Sequence, residues 1–109
     1  MYLINPKDKI SIEECDTFWK RFKGFMFKRK KIISGKRFPK CNSIHTFFMF
    51  QNIDVIMTDQ NNQIIKIYPN LKKRRIILPK KYVYYTYELP LGTYKYYQIG
   101  DYLKIELEK

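Results

Sequence analysis

The stretch Ile53-Asp54-Val55-Ile56-Met57-Thr58, then Asp59-Gln60-Asn61-Asn62, then Gln63-Ile64-Ile65-Lys66-Ile67-Tyr68 decides the fold class. Its first segment is apolar and rich in β-branched residues, with Asp54 as the one charge. The middle four are turn formers, whose side chains bond their own backbone. The last segment returns with polar and apolar positions alternating. Together they read as a β-hairpin.

Toward the C-terminus, residues 82–89 read as a tyrosine-rich strand. Val83, Tyr85 and Tyr87 face one way, and Tyr84, Thr86 and Glu88 the other. Pro90 and Gly92 end it, and residues 93–98 suit a short helix. Gly100-Asp101 turns into a last strand over residues 102–107, carrying Leu103, Ile105 and Leu107. Toward the N-terminus, residues 43–50 read as a strand or a bent strand, and residues 9–13 alternate as a short one. Asp16 and Thr17 can cap a helix in which Phe18, Phe22 and Phe25 recur at helical spacing. Trp19 and Met26 make a neighbouring row, Lys20, Arg21 and Lys23 lie opposite, and Gly24 ends the helix. Residues 28–40 read as an exposed basic loop broken by Gly35 and Pro39. These elements predict an α+β, mainly β domain: an antiparallel sandwich or barrel-like sheet of about six strands, one N-terminal helix and a second short one. Closing the sheet would remove its exposed edges.

At 109 residues the chain is one domain, residues 1–109. Hydrophobic residues at 45% and aromatics at 17% exclude a disordered chain. No apolar stretch reaches the length that crosses a membrane. Two cysteines, Cys15 and Cys41, are too few for a disulfide framework. The N-terminal Met-Tyr-Leu-Ile-Asn-Pro has neither the basic nor the apolar segment of a secretory signal, so a cytoplasmic location is expected.

The net charge is +12, from 22 basic and 10 acidic residues. Much of this is the composition of A/T-rich codons: lysine, isoleucine and tyrosine abound and alanine is absent. The distribution says more than the sum. Ten basic residues and no acid occupy residues 20–40, and seven more, again without an acid, residues 66–81.

At Lys23-Gly24-Phe25-Met26, Ile44-His45-Thr46-Phe47-Phe48-Met49, Ile53-Asp54-Val55, Glu88-Leu89-Pro90-Leu91-Gly92 and Gly100-Asp101, the chain resembles the domain of unknown function 192 family of bacteria and archaea. The order of these motifs carries the resemblance, which runs over residues 10–106. It implies a compact, mostly antiparallel β domain with a small helix and no established activity. Many members show a Met-x-Asn-Thr stretch before the strand that matches Ile53-Asp54-Val55. Residues 44–49 lack that Asn-Thr pair, and His45 stands in the segment instead.

The chemistry-bearing residues are few. His45 is the only histidine, and Cys41 precedes it by four residues, which on one strand places both on one face. Paired metal-ligand spacings are missing, as are an oxyanion loop and a phosphate-cradling glycine run, so no metal, cofactor or catalytic residue is assigned. Asp54 in its apolar strand needs partners, and a structural carboxylate held by backbone N–H groups is the plainer reading. Asp101 after Gly100 reads as a turn residue, and Glu88, Asp54 and Asp101 are three acids that could converge on one face.

The favoured expectation is a non-enzymatic binding module for a protein or small ligand, with His45, Met49, Asp54 and Asp101 as candidate residues. A second is a nucleic-acid or anionic-surface contact through Lys28, Arg29, Lys30 and Lys31 with Lys72, Lys73, Arg74 and Arg75. The tyrosines of residues 82–97 would supply its stacking surfaces. A third is a small enzyme built on Asp54 and His45.

Overall fold

The computed structural model describes residues 1–107. The elements are β1 (Tyr2–Ile4), β2 (Lys9–Glu14), α1 (Phe18–Lys23), β3 (Gly35–Pro39), β4 (Ile44–His45), β5 (Ile53–Thr58), β6 (Ile64–Leu71), β7 (Ile76–Ile77), β8 (Tyr85–Leu89), a 3₁₀ turn (Thr93–Tyr96) and β9 (Lys104–Glu106). Seven strands form one curled sheet in the order β6-β5-β8-β3-β2-β1-β9, and β4 with β7 makes a separate ribbon. The curl is a half-barrel whose open sides approach one another. Gln63, before β6, bridges to Tyr102, before β9, and the Ile64 N–H donates to the Asp101 carbonyl at 2.8 Å.

The expected hairpin is β5–β6, antiparallel, with register shifts near both ends of β5. Asp59 Oδ1 accepts the N–H groups of Asn61 and Gln63 in its turn. All six residues of β5 are buried, because the curl packs apolar side chains on both faces of the sheet. Ile56 belongs to one cluster with Tyr87, Leu89, Ile64 and Leu3 on one face. Val55 and Met57 belong to a second cluster with Phe25, Ile32, Met49 and Ile77 on the other. Each such side chain contributes roughly 1.5–3 kcal/mol by leaving water.

Four strands differ from the reading of the sequence. β1 and β7 are short strands it did not assign, the strand expected over residues 43–50 is only β4, and β3 occupies the second half of the expected basic loop. Gly35 admits β3 to the sheet: a Cβ there would stand 2.6 Å from Ile12 Cδ1 and 2.8 Å from Leu89 Cδ2. Lys36 and Arg37 are not a solvated run either. They pair with Glu13 and Glu14 on β2, Arg37 through two bonds of 3.0 and 2.5 Å. The β2–β3 pair is parallel, since residues 15–34 carry the chain back across α1; every other strand pair is antiparallel.

The caps of α1 are as expected. Thr17 Oγ1 accepts the Lys20 N–H, and the Gly24 N–H donates to the Lys20 carbonyl. Its aromatic face is not packed: Phe18, Trp19 and Phe22 are 83, 65 and 51% exposed. A helix of six residues spans about 9 Å, too short to lay a stripe on the sheet. Only Phe25 and Met26, beyond its end, enter the core. No helix among the described residues is long and apolar enough to cross a membrane.

Candidate functional site

Glu88 sits in the middle of the sheet, opposite Lys36 on β3 and Val55 on β5. It is 5% exposed. The Phe25 N–H faces its carboxyl group, and Oε1 has no hydrogen-bond partner. Burial pushes its pKa up from 4.5 to about 7, against the pull of that N–H and of the Lys36 charge. Gly24 and Phe25 lie directly over it, at the turn that leaves α1.

His45 comes from β4, whose pairing to β7 sets it at the open end of the same region. Its ring lies 6.2 Å from Phe22 and 5.7 Å from Phe47. Nδ1 is buried and also lacks a partner. His45 Nδ1 and Glu88 Oε1 are the two buried side-chain polar atoms among the described residues left in this condition. Both residues line one cavity of about 40 Å³. Cys41, Ser43, Met49 and Thr86 complete its floor and walls, and Arg21, Phe22 and Lys23 stand on the α1 side. A volume of that size takes a group as large as a few waters, at roughly 10–15 Å³ each. A carboxyl near neutrality and an imidazole can each donate or accept, so the pair suits a ligand group with both kinds of atom. A wider groove of about 530 Å³ borders the same Lys23–Met26 turn and is lined by Trp19, Lys20, Lys28 and Lys36.

The other residues singled out in the sequence divide. Met49 is buried and lines the cavity with His45. Asp54 is fully buried, and its two oxygens hold the N–H groups of Asn70 at 2.8 Å and Tyr94 at 3.0 Å. Asp101 is exposed and caps its own turn, with Oδ2 accepting the Gln98 N–H. Neither aspartate lines the cavity. Cys41 does, with Sγ donating to the Ser43 carbonyl at 3.1 Å. Cys15 lies in the core, where burial raises its thiol to about 11. Among the described residues no three His, Cys, Asp or Glu are grouped to hold a metal ion.

The two basic segments do converge. Thr46 Oγ1 donates to the Lys72 carbonyl and accepts the Arg75 N–H, each at 2.7 Å. Gln51 Nε2 donates to the carbonyls of Lys28 and Lys30, and its Oε1 accepts the Ile32 N–H. Residues 28–31 and 72–75 are thus fastened to opposite ends of the loop 46–51. Of the tyrosines, Tyr87 is buried and Tyr85 packs under the Arg37 guanidinium, whereas Tyr82, Tyr94 and Tyr96 are exposed.

Sequence reasoning did not assign Glu88 a site role. Its signal was an acid between Tyr87 and Leu89, a charge in the centre of an apolar strand, as Asp54 is.

A model of the DUF192 family, described as an uncharacterized ACR, matches residues 3–106. A UPF0127 protein of Pyrococcus horikoshii is 37% identical over 98 residues, covering 83% of this chain and 84% of that protein. A UPF0127 protein of Thermococcus sibiricus is 32% identical over 105 residues, covering 90% and 68%. Two solved structures share the fold at a TM-score of 0.78 each. One is a Novosphingobium aromaticivorans protein of unknown function, 15% identical, covering 95% of this chain and 82% of that one. The other, from Sinorhizobium meliloti, is named as a candidate transcription regulator; it is 21% identical and covers 94% and 89%.

Proposed function

The chain belongs to the uncharacterised DUF192 family, and from that premise we propose that it is a binding module. It holds a polar group of a small ligand, or of a partner protein's side chain, in the cavity between α1 and β8. One observation carries the reading: His45 and Glu88 line the same 40 Å³ space, and each carries a buried polar atom, Nδ1 and Oε1, without a partner. A buried polar atom left unpaired costs about 1–3 kcal/mol, and a ligand that pairs both recovers it. Exposed Phe22 and Phe47 beside His45 offer the rest of the ligand an apolar rim.

An amide-detected NMR titration with acetamide, methylammonium and acetate tests this. The expected result is a shift of the Gly24, Phe25 and Thr86 signals with at least one of them, lost in Glu88→Gln. Shifts confined to other residues, or unchanged in that variant, would sink the reading.

A second reading is favoured by a separate observation, the fastening of both basic segments to one loop through Thr46 and Gln51. It assigns that face to a polyanion. The third, a small enzyme using Asp54 and His45, has less support, because both Asp54 oxygens already serve backbone N–H groups.

A further inference from the structure

The loop between the basic segments is aromatic. Phe47, Phe48 and Phe50 are 39, 62 and 42% exposed, and Phe27 joins them from the turn after α1. Phe27 lies 5.6 Å from Phe48 and 6.1 Å from Phe50, ring to ring. The Arg29 guanidinium covers the Phe50 ring at 4.6 Å. Lys28, Arg29, Lys30, Lys31, Lys72, Lys73, Arg74 and Arg75 are all exposed, and no acid occurs between Asp16 and Asp54 or between Asp59 and Glu88.

The backbone of this face is unusual as well. Phe27, Phe48 and Arg74 have φ of 63, 63 and 60°, a region that bulky L residues rarely adopt. The Phe27 N–H donates to the Phe48 carbonyl, so two of the three strained residues hold each other. Strain of this kind persists where surrounding structure fixes it, and it collects at working surfaces.

From this juxtaposition we infer that the loop 46–51, with the basic segments at its two ends, is a contact surface for single-stranded nucleic acid. The inference rests on the polyanion reading and narrows it. Phosphates need cations, and unstacked bases need ring faces; the surface offers rings flanked on both sides by cations. A duplex hides its base faces, so the rings would be idle against it. The loop spans at most about 18 Å, which fits a short site of roughly four nucleotides.

The test is fluorescence anisotropy with a labelled 12-nucleotide single strand, the matching duplex, and phosphatidylserine vesicles as a competitor, at 50 and 200 mM salt. Four neutralised phosphates give a log–log slope of about −2.8, a loss of about 50-fold between those salt concentrations. The single strand should bind more tightly than the duplex. Phe48→Leu, which keeps an apolar side chain and removes the ring, should weaken it by roughly 5- to 150-fold with the salt slope unchanged. Lys72→Gln with Lys73→Gln should flatten the slope by about 1.4. Far-ultraviolet circular dichroism confirms that each variant is folded. Equal affinity for duplex and single strand, or indifference to Phe48→Leu, overturns the inference and leaves the polyanion reading standing. Preference for the vesicles overturns the inference in favour of a lipid surface. No binding to any polyanion at either salt removes both.

Discussion

A Cβ on residue 24 would stand 2.8 Å from Glu88 Oε1, so Gly24 and Glu88 fit only because one of them has no side chain. Gly24 also has φ 49° and ψ −128°, which other residues scarcely reach. Gly24→Ala is therefore expected to lower stability by roughly 1–3 kcal/mol. Urea denaturation reads the loss.

Glu88 makes stability fall as pH rises. Its carboxyl titrates near 7 in the fold and at 4.5 in the unfolded chain, so the native state holds the extra proton between those values. The stability present below the unfolded pKa is lost through that window, by about 3 kcal/mol. Glu88→Gln should flatten the pH 5–8 profile relative to the parent and be the more stable of the two at pH 8. Parallel profiles for parent and variant would contradict a buried, raised carboxyl.

Asp54→Asn should destabilise the fold by roughly 1–3 kcal/mol, since an amide can accept only one of the two N–H groups now held. The effect should be local, with faster hydrogen exchange at Asn70 and Tyr94. Unchanged exchange at both would mean that the carboxylate is not the anchor of the 3₁₀ turn.

Thr46→Val keeps the shape of the side chain and deletes its hydroxyl. The turn 72–75 loses one donor and one acceptor at once. A cost of about 1–3 kcal/mol and faster exchange at Arg75 are expected. The measurement is native-state exchange by NMR.

The thiols should differ in reactivity. Cys15 is 1% exposed and its thiol is raised to about 11, whereas Cys41 is half-buried and lines the cavity. Alkylation near pH 8 followed by peptide mass mapping should modify Cys41 first. Earlier modification of Cys15 would place it outside the core.

The β5–β6 hairpin was legible because its turn and its residue types both act locally. The caps of α1 were legible for the same reason. Its packing was not: the spacing of Phe18 and Phe22 fixes a common face, but says nothing of whether an element lies within reach. β3 was hidden because Gly35, which reads as a breaker, is required by the close approach of Ile12 and Leu89. The Lys36 and Arg37 charges read as solvated because their partners, Glu13 and Glu14, lie across a parallel crossover. His45 and Met49 were found as candidates, and they share a cavity. Glu88 was weighed only as a companion of Asp54 and Asp101, neither of which shares its cavity, because strand alternation assigns one face to water and this curled sheet buries both.

The sheet's outer edge is built by β1 and β9, from opposite ends of the sequence, with Leu3 facing Ile105. That contact closes a loop of nearly the whole chain, and the closure entropy falls due before the contact returns anything. β2 meanwhile gains its second neighbour only after the crossover through α1 is complete. Such connectivity, rich in pairings distant in sequence, belongs to the slower-folding topologies, in the millisecond-to-second range.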